Sequence, residues 1–161
     1  MSFQRTVVNQ FKVENLNVPG AQIIRSPVYG DNRGWLYESF HVLKVQSETS
    51  VSNMVGVYPP RHAVYGPVSH SGEELLYLIC GKVFVVLIDQ DHPEVRDSLT
   101  VEPGMIIRIP PFVIHAVLSL EDNTVFDIVR MESLFTKICY EINDPQLSIQ
   151  WPESELPVVS Y

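Results

Sequence analysis

Apolar residues along this chain come in short runs cut by turn formers. Ala21–Ile24, Val55–Tyr58, Leu75–Cys80, Val83–Asp89, Ser98–Val101, Met105–Ile109, Ala116–Leu120, Thr124–Val129 and Phe135–Tyr140 each span four to seven residues and are rich in Val, Ile, Tyr and Phe. That length and composition predict β-strands. Gly81-Lys82, Asp91-His92-Pro93, Glu102-Pro103-Gly104 and Glu121-Asp122-Asn123 separate them with turn chemistry. Only Glu38–Gln46 has the pattern of a helix, and a short one. Many strands at short spacing predict an all-β sandwich or barrel, not a doubly wound α/β fold. Twelve prolines suit turns and strand edges. Leu75–Cys80 and Val83–Ile88 are apolar without alternation, so both faces of these strands are expected to be covered, a second sheet inside and a partner subunit outside. That pattern predicts a homodimer.

The remaining composition narrows the class. With 161 residues and no repeat, low-complexity tract or linker, residues 1–161 read as one domain with a full core. Hydrophobic residues make up 45% and charged residues 19%, a globular balance. The net charge of −8 argues against nucleic acid or an anionic membrane as partner, because nothing neutralises phosphates in bulk. A few placed arginines can still hold one small anion. Cys80 and Cys139 lie in apolar runs and read as buried free thiols. The N-terminus lacks a signal-peptide core, and no apolar run approaches the ~20 residues of a membrane helix. The expected location is the cytoplasm. The tail from Trp151 to Tyr161 is expected on the surface.

Two His-bearing segments carry the chemistry. In the second, Gly104, Pro110, Phe112, His115 and Ser119 keep the spacing of the cupin pattern Gly-x5-Pro-x-Gly-x2-His-x3-Asn, two of them substituted. In the first, Val68-Ser69-His70, Glu74 and Gly81 fit the frame His-x-His, Glu, Gly, with Val68 where a histidine is usual. The resemblance implies a cupin double-stranded β-helix, a jelly-roll barrel with short N-terminal strands and little helix. His115 is then expected to face a pocket. His70, Glu74 and His115 together offer two imidazoles and a carboxylate, a face that could take a divalent metal. The alternatives are an empty or organic-ligand pocket, or Glu73 and Glu74 as a solvated edge with His70 in a loop.

Three further blocks occur in order. Asp31-Asn32-Arg33-Gly34-Trp35-Leu36-Tyr37-Glu38 resembles the Asp-x-Arg-Gly-x-Phe-x-Glu signature of the dTDP-4-dehydrorhamnose 3,5-epimerase family. Pro110-Pro111-Phe112-Val113-Ile114-His115 resembles its Pro-Pro-Gly-Phe-Ala-His, and Ile142–Pro152 resembles its Trp-Asn-Asp-Pro-x-Leu-x-Ile-x-Trp-Pro. The resemblance runs from about residue 11 to 152. It implies a dimeric, cofactor-free enzyme in which a histidine removes protons beside the ketone of a nucleotide-linked 4-keto-6-deoxy sugar and a tyrosine serves as acid. Carried over residue by residue, Arg33 would meet the diphosphate, the alternative being a structural ion pair with Glu38 or Asp31, His115 would match the pocket histidine, and Asp144 would orient the catalytic histidine.

The same comparison implies departures. Where the family reads Arg-Gly-Leu-His, this chain reads Tyr65-Gly66-Pro67-Val68, so Val68 stands for the base and Tyr65 for a phosphate-binding arginine. Glu74 stands for a lysine, and the acid falls near Leu134 or Phe135. The sequence therefore predicts a diverged nucleotide-sugar epimerase or isomerase of deoxysugar or surface-polysaccharide biosynthesis. His70, His115, Glu74 and Asp144 would be its catalytic set, and Arg33, Glu38, Tyr65 and Phe112 its substrate contacts. The competing expectations are a non-catalytic sugar-binding partner, or a metal-dependent cupin using His70, Glu74 and His115.

Overall fold

The computed structural model describes residues 6–7, 11–37, 53–131 and 136–152. Among these there is no helix, and the predicted helix at Glu38–Gln46 lies outside them. The strands are β1 (Thr6–Val7), β2 (Lys12–Asn15), β3 (Gln22–Arg25), β4 (Val28–Asp31), β5 (Gly34–Tyr37), β6 (Asn53–Val57), β7 (Val64–His70), β8 (Glu74–Cys80), β9 (Val83–Ile88), β10 (Arg96–Val101), β11 (Met105–Ile109), β12 (Ile114–Ser119), β13 (Val125–Arg130) and β14 (Lys137–Cys139). Six form one sheet in the order β2-β3-β11-β8-β13-β6, five a second in the order β10-β9-β12-β7-β14, and β1-β4-β5 a small third. Every pairing is antiparallel. From β7 onward the chain passes back and forth between the two large sheets, which is the jelly-roll expected from the motifs.

The core lies between those sheets. Leu76, Leu78, Ile107, Phe126 and Ile128 from the six-stranded sheet meet Tyr65, Val68, Val85, Leu87 and Val117 from the five-stranded one. Each such side chain stabilises by about 1.5–3 kcal/mol on burial, so this layer decides the fold.

Strand β7 went unpredicted because Gly66-Pro67 interrupts its apolar pattern. Val68 pairs with His115 and Tyr65 with Val117, so Gly66 and Pro67 together oppose Ala116. This bulge resets the in–out alternation and brings Tyr65, Val68 and His70 to the inner face. Gly66 sits at φ +88°, and a Cβ there would lie 2.6 Å from the His115 carbonyl oxygen, so the position needs glycine.

The outer faces correct the argument for a partner. Val64, Val86, Ile88, Ile114, Ala116 and Leu118, outside the five-stranded sheet, are covered by Tyr140, Ile142, Leu147, Ile149 and Trp151 of the same chain. Arg96 fastens this cover through a 2.7 Å hydrogen bond from Nη1 to the Leu147 carbonyl. Leu75 and Tyr77, outside the other sheet, are likewise buried within the single chain. The unalternating strands β8 and β9 therefore carry no argument for a dimer. Trp151 is half-buried in the cover instead of lying free on the surface. Cys80 and Cys139 are free thiols but exposed, not buried, because one ends β8 and the other ends the edge strand β14.

Candidate active site

Four strands deliver an ionisable cluster to one end of the barrel interior. Glu74 opens β8 on the face of Leu76 and Leu78, and its ladder neighbours are Ile109 and Arg130. His70 ends β7 beside Lys137 of β14. His115 lies in β12 opposite Val68. Glu74, His115 and His70 are 0%, 1% and 3% exposed, so none is a solvated edge.

Glu74 is the hub. Its Oε2 lies 3.0 Å from Nε2 of His115, an ion-pair contact without the linear geometry of a hydrogen bond. Its Oε1 lies 3.4 Å from Nε2 of His70 and accepts a 3.2 Å hydrogen bond from Nε of Arg130. Nδ1 of His115 stands 3.1 Å from the Val113 carbonyl, which can only accept, so this nitrogen carries hydrogen. His115 Nε2 and Glu74 Oε2 thus face each other across a buried contact.

Burial pushes the Glu74 carboxyl up, but His115, His70 and Arg130 together outweigh it and hold it below its ordinary value. Burial drives His70 down to about 4 against the opposing pull of Glu74, so its ring is neutral at physiological pH. Burial raises the Tyr65 phenol, with Glu74 adding to the rise and Arg130 opposing it. The Tyr65 ring stacks on His115 at a centroid distance of 6.4 Å and 26°, and meets Phe126 edge-on at 6.2 Å.

The predicted residues thus divide. His70, His115, Glu74 and Tyr65 come together. Asp144 does not join them: its carboxylate accepts a 2.8 Å hydrogen bond from the Gln146 amide within the outer cover. The Val113 carbonyl orients His115 in its place. Arg33 lies in the β4–β5 turn, held by Asp31, and among the described residues no ladder joins that small sheet to the other two. Phe112 is half exposed at φ +61°, and its amide donates to the His70 carbonyl at 2.7 Å. Its ring lines a separate cavity of about 390 Å³ beside Asp89 and Asp91, a poor place for a diphosphate. Glu38, Leu134 and Phe135 lie outside the described residues.

Arg130 escaped the sequence reading. The signal was there: Phe126, Ile128 and Arg130 form one inward alternation that ends in a charge. His70, Glu74 and His115 offer ligand atoms all within 4.8 Å of one another, enough for a divalent ion. Arg130 already occupies Glu74 Oε1, so a cation there would have to displace or tolerate a guanidinium.

No curated protein matches the sequence. The fold is that of a dTDP-6-deoxy-D-glucose-3,5-epimerase from Legionella pneumophila, solved with dTDP-4-keto-L-rhamnose, at TM-score 0.82, 21% identity and coverage of 94% of this chain and 88% of that one. It is also that of NovW, a 4-keto-6-deoxy sugar epimerase from Streptomyces spheroides, at TM-score 0.83, 17% identity and coverage of 94% and 84%. A Streptococcus suis relative in complex with dTDP-D-xylose matches at TM-score 0.80, 18% identity and coverage of 91% and 85%. The family model for dTDP-4-dehydrorhamnose 3,5-epimerase matches residues 15–161, and the chain belongs to that family.

Proposed function

We propose that this protein is an epimerase of a dTDP-4-keto-6-deoxy sugar in which the buried His70–Glu74–His115 cluster replaces the usual placement of the base. The carrying observation is His70, neutral and 3% exposed, with Nε2 at 3.4 Å from the Glu74 carboxylate. With Nε2–H toward Glu74, Nδ1 is the basic nitrogen. It takes a proton from the carbon beside the ketone, the C–H electron pair becomes the enolate, and Glu74 stabilises the imidazolium that forms. Arg130 supplies positive charge for the enolate oxygen. Members of the family work without a cofactor, and no step here calls for one.

The remaining parts of the reading follow from what the substrate needs. Val68, where the family comparison expects a base, is buried in the core opposite His115. Arg33 is the candidate for the diphosphate, and since among the described residues no ladder joins its small sheet to the two large ones, it would serve the site of a second copy in a homodimer. A nucleotide-sugar substrate suits a cytoplasmic setting.

The test is incubation with dTDP-4-keto-6-deoxy-D-glucose, trapping by borohydride, and assignment of the hexose configuration. Inversion at C3, C5 or both is expected. An unchanged sugar from protein that measurably binds it would overturn the reading.

A further inference from the structure

We propose that His70, Glu74 and His115 form a reversible inhibitory site for a divalent transition metal of the zinc class. The binding stands on geometry alone, and the inhibition rests on the epimerase reading. The ligand atoms of the three residues all lie within 4.8 Å of one another. A tetrahedral zinc with bonds of about 2.0–2.2 Å holds its donors about 3.3–3.5 Å apart. Here Glu74 Oε2 stands 3.0 Å from His115 Nε2, and Glu74 Oε1 stands 3.4 Å from His70 Nε2. The donors are already near the spacing an ion imposes, so it needs no open cavity to seat it.

Two atoms point to such a ligand. His115 Nε2 and Glu74 Oε2 have no hydrogen-bond partner, on residues 1% and 0% exposed. A buried polar atom left that way is costly, and a cation between the two satisfies both. The Val113 carbonyl takes the Nδ1 hydrogen of His115, so the neutral ring turns its Nε2 lone pair toward Glu74. A carbonyl behind the ring is the usual support of a metal-binding histidine. Arg130 engages only Oε1 of Glu74, which leaves Oε2 for the ion. Two imidazoles and one carboxylate suit zinc, cobalt or nickel better than magnesium or calcium. The way in is short, because His70 adjoins β14, an edge strand exposed along its length.

Two cations limit the affinity. Arg130 bonds Glu74, and Lys137 neighbours His70 across the ladder. Their repulsion makes the ion a passing ligand, not a resident cofactor. Its effect follows from the imidazole. A neutral His70 that ligates through Nε2 carries its hydrogen on Nδ1, the nitrogen proposed as base. The ring hydrogen passes from Nε2 to Nδ1 through solvent as the metal binds, and Nδ1 can no longer take a proton from carbon.

Wild-type protein, purified without a metal column and stripped by chelator, is titrated with zinc by calorimetry and with cobalt by visible absorption. One equivalent per chain should bind. The cobalt spectrum should lack thiolate charge transfer, which separates the site from the exposed Cys80 and Cys139. His70→Asn and His115→Gln should each weaken binding by roughly tenfold or more. Arg130→Met should tighten it by roughly tenfold or more, an effect that a damaged fold does not produce. Zinc should lower proton exchange of dTDP-4-keto-6-deoxy-D-glucose in step with occupancy, and chelator should restore it. No saturable equivalent below about 1 mM zinc, or an affinity unchanged in both histidine variants, would overturn the site. Exchange that persists or rises with the site filled would overturn the inhibition. A wild type that binds zinc but exchanges nothing without it would remove the epimerase reading, and the inhibition with it, while the binding stands.

Discussion

The depressed basicity of His70 should be visible in stability as well as catalysis. A histidine at about 4 in the folded state and 6.5 unfolded binds a proton in the unfolded chain first as pH falls. The unfolded state is therefore favoured progressively on acidification, from just above 6.5 down to about 4. Integrating that difference from pH 7.5 to pH 4.5 gives a loss of about 2.5 kcal/mol from His70 alone. Glu74 adds a loss of the same sign only lower, as pH falls from its ordinary 4.5, because its folded carboxyl is held below that value. Urea unfolding followed across this range, in the wild type and in His70→Asn, isolates the histidine's share. The difference between the two curves should shrink or reverse by about 2.5 kcal/mol between the two pH values. Parallel curves, or a His70 ring that titrates near 6.5 by NMR, would refute the burial argument.

Other expectations follow from named contacts. Glu74→Gln removes the charge facing His70, His115 and Arg130, and should cut proton exchange by roughly 100-fold or more, measured by NMR in deuterated water. Gly66→Ala forces a Cβ against the His115 carbonyl at positive φ and should destabilise by about 2–4 kcal/mol in urea melts. Trp151→Ala opens the cover over Ile88, Ile114 and Leu118, and should cost about 2–3 kcal/mol. Val68→His sets an imidazole in an apolar wall opposite His115. It should lower stability by about 1–3 kcal/mol without raising the rate of inversion.

Much of this was legible in the residues, and the failures have physical causes. The runs from Leu75 to Val129 predicted strands because buried strands of a sandwich need β-branched and aromatic side chains. Strands β2, β4 and β5 are short and largely polar or Gly-bearing, so local pattern gave them no weight. Strand β7 was hidden by its own bulge, the device that aims Tyr65 and His70 inward. Motif spacing found His70, Glu74 and His115, since a motif records which residues share a barrel end. It could not place Asp144, whose segment packs on the opposite side of the five-stranded sheet. Arg130 belongs to no motif and became visible only through its ladder pairing with Glu74. The unalternating runs suggested a partner because a sequence cannot show that the chain's own end folds back over its sheet.

The central claim is that the buried cluster removes a proton beside a ketone. Proton NMR of dTDP-4-keto-6-deoxy-D-glucose with the wild-type protein in deuterated water tests it most directly, with His70→Asn alongside. The account predicts loss of the ring-proton signal at C3 or C5 with the wild type and a rate lower by roughly 100-fold or more in the variant. Full retention of both signals under saturating protein, or exchange that is unchanged in His70→Asn, would contradict it.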